Sequence, residues 1–115
     1  MDPLPEYVPR VGAGVRVEMD GDQSVMGRRT ITGTFIEFRK SEADAYLLIV
    51  EPEKPLRIPL QLRAHRLIAL KVAGTGKTKS HHGHVYGIRP RRFSQTESIP
   101  SSALRWLGRA DFEFD

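Results

Sequence analysis

The chain has 115 residues, 39% of them hydrophobic, a net charge of +4 and no cysteine. This length supports one compact core but no second catalytic lobe, the missing cysteines exclude disulfide staples, thiolate metal sites and thiol nucleophiles, and no apolar run is long enough for a membrane-spanning helix. The modest net charge conceals a sorted distribution: residues 1–53 carry six basic and ten acidic groups, residues 54–96 carry ten basic and none acidic, and residues 97–115 carry two and four.

Residues 1–12 hold three of the eight prolines and no periodic pattern, so they read as an extended lead-in to a single domain over 13–115. The start Met1-Asp2-Pro3-Leu4-Pro5-Glu6 has neither a basic stretch nor an apolar one. No secretion signal is read there, and a cytoplasmic location is expected. Val15, Val17 and Met19 alternate with Arg16, Glu18 and Asp20, the period-2 pattern of a half-buried strand that stops at Asp20-Gly21-Asp22. Thr30 to Phe38 is rich in β-branched and aromatic residues, and Gly33 within it predicts a bend or bulge.

Tyr46 to Val50 is an apolar run of strand length, Leu56 to Leu60 alternates around Arg57, and Leu67 to Val72 makes a fifth candidate. Ala73 to His84, rich in Gly, Lys, Thr, Ser and His, reads as a long basic loop or hairpin tip, with Val85 to Ile88 as one more strand. From about residue 97 a C-terminal extension is expected. Ser101-Ser102 ahead of Ala103 to Leu107, with Gly108 after, predicts a short capped helix that closes one end of the barrel. Ala110 to Asp115 alternates acids with aromatics and reads either as a last edge strand with Phe112 and Phe114 on one face or as a partner-recruiting tail.

Short strands at close spacing with no helix between them predict an all-β fold, a five- to six-stranded barrel closed or nearly closed within residues 12–72. Val15, Val17, Ile31, Phe35, Leu48 and Ile68 are its expected core. The order of a strand, a long bent strand, a third strand, the short Ile58-Pro59-Leu60 strand, a turn over Gln61 to His65 and the closing Leu67 to Leu70 strand resembles an Sm-like or SH3-like small barrel. The resemblance covers residues 12–72. It implies an architecture, with barrel edges through which copies can associate, but not Sm-type uridine recognition, because Ser41 to Asp44 and Arg63 to Arg66 stand where that family carries its base-reading residues.

The basic block points to a polyanionic partner, since clustered cations release the counterions of a phosphate backbone; a solvated basic face without a ligand is the alternative. Arg89-Pro90-Arg91-Arg92-Phe93 joins guanidiniums to an aromatic, with Tyr86 just upstream, a mixture suited to phosphate forks and base stacking. The expected nucleic-acid-binding residues are Arg63, Arg66, Lys71, Lys77, Lys79, Tyr86, Arg89, Arg91, Arg92 and Phe93. Whether the nucleic acid is DNA or RNA is open. A protein-interaction module docking on an acidic surface is the competing reading.

Gly74-Thr75-Gly76-Lys77-Thr78 resembles the core of a Walker A loop, but Lys71 stands at the first glycine position and no helix signal follows, so a phosphate-gripping loop without hydrolysis is expected. His81, His82 and His84 are close enough in sequence for a metal cluster, yet they lack nearby carboxylates or thiols and read as loop histidines. Asp22 to Gly27 matches the D-x-S-x-x-G half of the cyclic di-GMP motif of PilZ barrels without its arginine half; this makes a cyclic dinucleotide sensor a third reading and a plain hairpin the alternative. No catalytic residue, metal or cofactor is expected, and the chain is read as non-enzymatic.

Overall fold

The computed structural model describes residues 9–57, 64–72, 80–89 and 98–115. Six antiparallel strands follow in chain order: β1 (Gly14–Ser24), β2 (Arg29–Lys40), β3 (Tyr46–Pro52), β4 (Ile68–Val72), β5 (Ser80–Ile88) and β6 (Leu104–Phe114). Each pairs with its neighbour in sequence, and β6 returns to β1 with Val15 opposite Phe114 and Val17 opposite Phe112. Every strand therefore has a partner on both sides. No helix among the described residues is long and apolar enough to cross a membrane.

Alternation decides which side chains fill the barrel. Val15, Val17 and Met19 of β1, Ile31 and Phe35 of β2, Val85 of β5, and Leu107, Ala110, Phe112 and Phe114 of β6 point inward and are buried. All six core residues expected from the sequence are among the buried set. Full burial of a side chain as large as Phe35 or Phe112 contributes roughly 1.5–3 kcal/mol. The β3 run is apolar on both faces for a reason. Leu48 and Val50 face the interior, while Leu47 and Ile49 join Ala69, Ile88, Ile99 and Ala103 in a second cluster outside the wall. The segment 98–103 covers that outer patch, with the Ile99 N–H donating to Lys40 O at 2.8 Å and Glu42 N–H donating to Ile99 O at 2.9 Å.

Closure departs from the expectation. Residues 12–72 supply four strands, and β5 and β6 complete the ring. The predicted C-terminal helix is absent: Ser101–Ala103 form a single 3-10 turn, and Leu104–Phe114 is a strand. The serines do start a turn, but continuing it as a helix would strand the inward row of Leu107, Ala110, Phe112 and Phe114 and leave both flanking ladders unpaired. Tertiary pairing overrides the cap signal. Phe112 and Phe114 do share one face, on a wall strand paired with both β5 and β1.

Ser80 to His84 of the predicted 73–84 loop belong instead to β5, while residues 73–79 lie outside the described residues. The glycine and histidines of 80–84 disguise a strand whose N–H and C=O groups are taken up by β4 and β6. Leu56 makes an isolated bridge to His65, and the rest of the expected fourth strand, Ile58 to Leu60, lies with residues 61–63 outside the described residues. The register shift in β2 falls between Phe35 and Glu37, not at Gly33. Gly33 serves close approach instead: a Cβ there would fall on the backbone carbonyl of Glu51.

Candidate nucleic-acid interface

The register of β4, β5 and β6 lines up Lys71, His84 and Arg109 as direct cross-strand neighbours. All three stand on the outward face, because Leu70, Val85 and Ala110 beside them in sequence point into the core. Directly opposed side chains in an antiparallel sheet have Cβ atoms about 4.5–5.5 Å apart, so the three form one row in which the cations Lys71 and Arg109 flank a neutral His84. Burial, then the charges of Arg109 and Lys71, hold the His84 imidazole below its usual value of 6.5.

A second row lies beside the first. Tyr86 is opposite Ala69 on one side and Trp106 on the other. Trp106 is 43% exposed, and its indole N–H donates to Nδ1 of His84 at 3.2 Å, which ties the aromatic row to the first. Tyr86 leans against the outer apolar cluster, and burial pushes its hydroxyl above the ordinary tyrosine value. The irregularity of the β5–β6 ladder between Val85 and Tyr86 is what allows this arrangement: Leu107 turns inward while Trp106 and Arg109 both remain outside.

Arg66 and Arg89 flank one end of the patch. Both are exposed, and the pairing of Ile68 with Gly87, extended by the Ile88 N–H to Leu67 O bond at 3.2 Å, brings them to the same end of the β4–β5 ladder. Of the expected site residues, Arg66, Lys71, Tyr86 and Arg89 thus gather around one outward surface. Arg63, Lys77, Lys79, Arg91, Arg92 and Phe93 lie outside the described residues, as does the Gly74 to Thr78 loop.

Trp106, His84 and Arg109 were not among the expected site residues. Trp106 falls in the helix expected over Ala103 to Leu107, and His84 in the loop expected over Ala73 to His84. A usable signal was present for Arg109, which with Asp111 and Glu113 alternates with Ala110, Phe112 and Phe114 and so marks the outer face of a strand. The same period run back would turn Trp106 inward, and only the β5–β6 irregularity places it outside.

The three neighbouring histidines do not converge, because they sit on opposite faces of β5. His81 is buried and packs against Phe114 with ring centroids 5.5 Å apart, while His82 and His84 face outward. Among the described residues no group of His, Cys, Asp or Glu is arranged to hold a metal ion. Asp22 to Gly27 form the end of β1 and the hairpin into β2, where Ser24 Oγ accepts from the Met26 N–H at 3.1 Å and Gly27 takes φ of 69°. Next to Arg109 on the same outer face of β6 the wall carries acids, with Asp111 opposite both Glu18 and His82, and Glu113 opposite Arg16.

Compared with known proteins, the chain matches no protein-family model, no curated protein and no solved structure.

Proposed function

We propose that the protein is a non-enzymatic nucleic-acid-binding barrel that takes single strands on the outer face of β4, β5 and β6. One observation carries this reading: an exposed tryptophan and a half-covered tyrosine stand directly beside a row in which Lys71 and Arg109 flank His84. Aromatic faces stack bases of any identity, and adjacent cations follow the phosphate backbone, so the combination favours unpaired strands over duplex. Arg66 and Arg89 lengthen the basic path at one end. The likeness of residues 12–72 to Sm-like and SH3-like barrels adds only an architecture, a small curved sheet that offers an outer surface to a ligand.

The test is fluorescence anisotropy with a labelled single-stranded oligonucleotide at low and high salt. Binding that weakens steeply with salt, and that falls in Trp106→Ala and in Lys71→Ala, supports the reading. No binding at low salt overturns it and favours an acidic protein surface as the partner of the same patch.

A further inference from the structure

The β1–β6 ladder breaks between Met19, which pairs with Ala110, and Ser24, which pairs with Gly108. Residues 20–23 bow out opposite Arg109, and a cleft of about 630 Å³ opens on the outer wall, with Arg28 and Arg109 among its cationic lining, Glu18, Asp20 and Asp111 among its acidic lining, and His82 beside them. Its size falls within the range of small-molecule sites, which is roughly 300–1,000 Å³.

The groups lining this cleft have unequal freedom. Asp20 is committed to the bow itself, its Oδ1 accepting from the N–H groups of Asp22 at 2.8 Å and Gln23 at 3.3 Å. Glu18 is neutralised by Arg16 at 2.7 Å. Neither Arg28 nor Arg109 has a carboxylate within ion-pair distance among the described residues, and Arg109 only reaches Gln23 Oε1 at 3.5 Å. Asp111, set between Glu18 and His82 by the register, is an exposed carboxylate of the lining. Arg109 also belongs to the row with Lys71 and His84, so the cleft continues the proposed strand path.

We propose that this cleft seats one nucleotide of the bound strand, with its phosphate on Arg28 and Arg109 and the amino edge of its base on Asp111. The inference rests on the nucleic-acid reading and adds a base preference to it. An ionised carboxylate only accepts hydrogen bonds. It therefore repels a phosphate and accepts from the exocyclic amine of cytosine, as carboxylates do in base recognition, but meets another acceptor in the O4 of thymine or uracil. Phosphate is drawn to the guanidiniums for the complementary reason.

The experiment compares oligo-dC with oligo-dT of equal length by anisotropy, using the wild type, Asp111→Asn and Lys71→Ala, with far-UV circular dichroism to verify that each variant is folded. The wild type is expected to prefer oligo-dC by about fivefold or more. Asp111→Asn should reduce that ratio to near one, because an amide both donates and accepts, while Lys71→Ala should weaken both oligonucleotides equally. Equal wild-type affinities, or a preference that survives in folded Asp111→Asn, overturn the cleft assignment and leave the proposed function standing. Absence of binding to either oligonucleotide overturns both.

Discussion

Trp106 donates its indole N–H to Nδ1 of His84 across the β5–β6 ladder at 3.2 Å. An acceptor at Nδ1 means that the neutral imidazole carries its proton on Nε2. Protonation of His84 would place a donor against a donor and break the bond. Burial and the neighbouring Arg109 and Lys71 already disfavour that cation, so in the free protein the Trp106 to His84 contact persists to a pH below 6.5, the ordinary histidine value.

A phosphate backbone reverses this bias, because it stabilises the His84 cation and raises its pKa in the complex. Binding should then take up a proton, and affinity should rise as pH falls from 7.5 to 5.5, by at most about tenfold per unit for one site. Anisotropy titrations at constant ionic strength check the rise, which His84→Gln should largely remove.

Trp106 is the single tryptophan of the chain, so its emission reports this surface alone. Base stacking on it should quench the emission when a single strand is added. Trp106→Ala should weaken binding by about 1–3 kcal/mol, the usual worth of one base–aromatic stack.

Lys71 and Arg109 should act as phosphate contacts. Substituting either with alanine is expected to lower the slope of log affinity against log salt by about one, whereas Trp106→Ala should leave that slope almost unchanged. Measuring the slopes of the three variants separates backbone contact from stacking.

Stability should depend on pH through a different histidine. Burial, and then the charge of His82, hold the His81 imidazole below its ordinary value of 6.5. The unfolded chain therefore binds a proton more readily than the folded one, and stability is lost as pH falls from about 6.5 toward the depressed folded value. The melting temperature should drop between pH 7.5 and 5, and His81→Leu should flatten that part of the profile.

Gly108 sits at a φ of 150°, and a Cβ added there would approach the Ser24 Cα to 2.5 Å and the Gln23 carbonyl oxygen to 2.6 Å. Both neighbours are backbone atoms. Gly108→Ala should therefore destabilise the fold by about 1–3 kcal/mol, as urea denaturation would measure, and should distort the bowed segment that walls the cleft.

The inner face of the first half of the barrel was legible because Val15, Val17, Met19, Ile31 and Phe35 follow period-2 alternation, and that alternation alone selects the buried side. The C-terminal half was harder to read. Ser101-Ser102 is a genuine turn signal, and only pairing with distant strands tells the following residues to extend. His81 to His84 have loop-like composition, and their division between core and surface appears only once β4 and β6 flank them. The same applies to the site. Lys71 and Tyr86 stood out by residue type, whereas the Lys71–His84–Arg109 row exists only in the register, which no local pattern encodes.

The pairing of Val15 with Phe114, reinforced by Asp115 donating its N–H to the Gly14 carbonyl at 3.0 Å, joins the two strands farthest apart in the chain. Ring closure is thus the least local event in folding, and loop-closure entropy makes such contacts slow to form. Until β6 arrives, β1 and β5 each present an unpaired edge able to add a strand from another molecule. The nascent chain is most exposed to misassembly while its last stave is still missing, and this hazard disappears when β6 enters the wall.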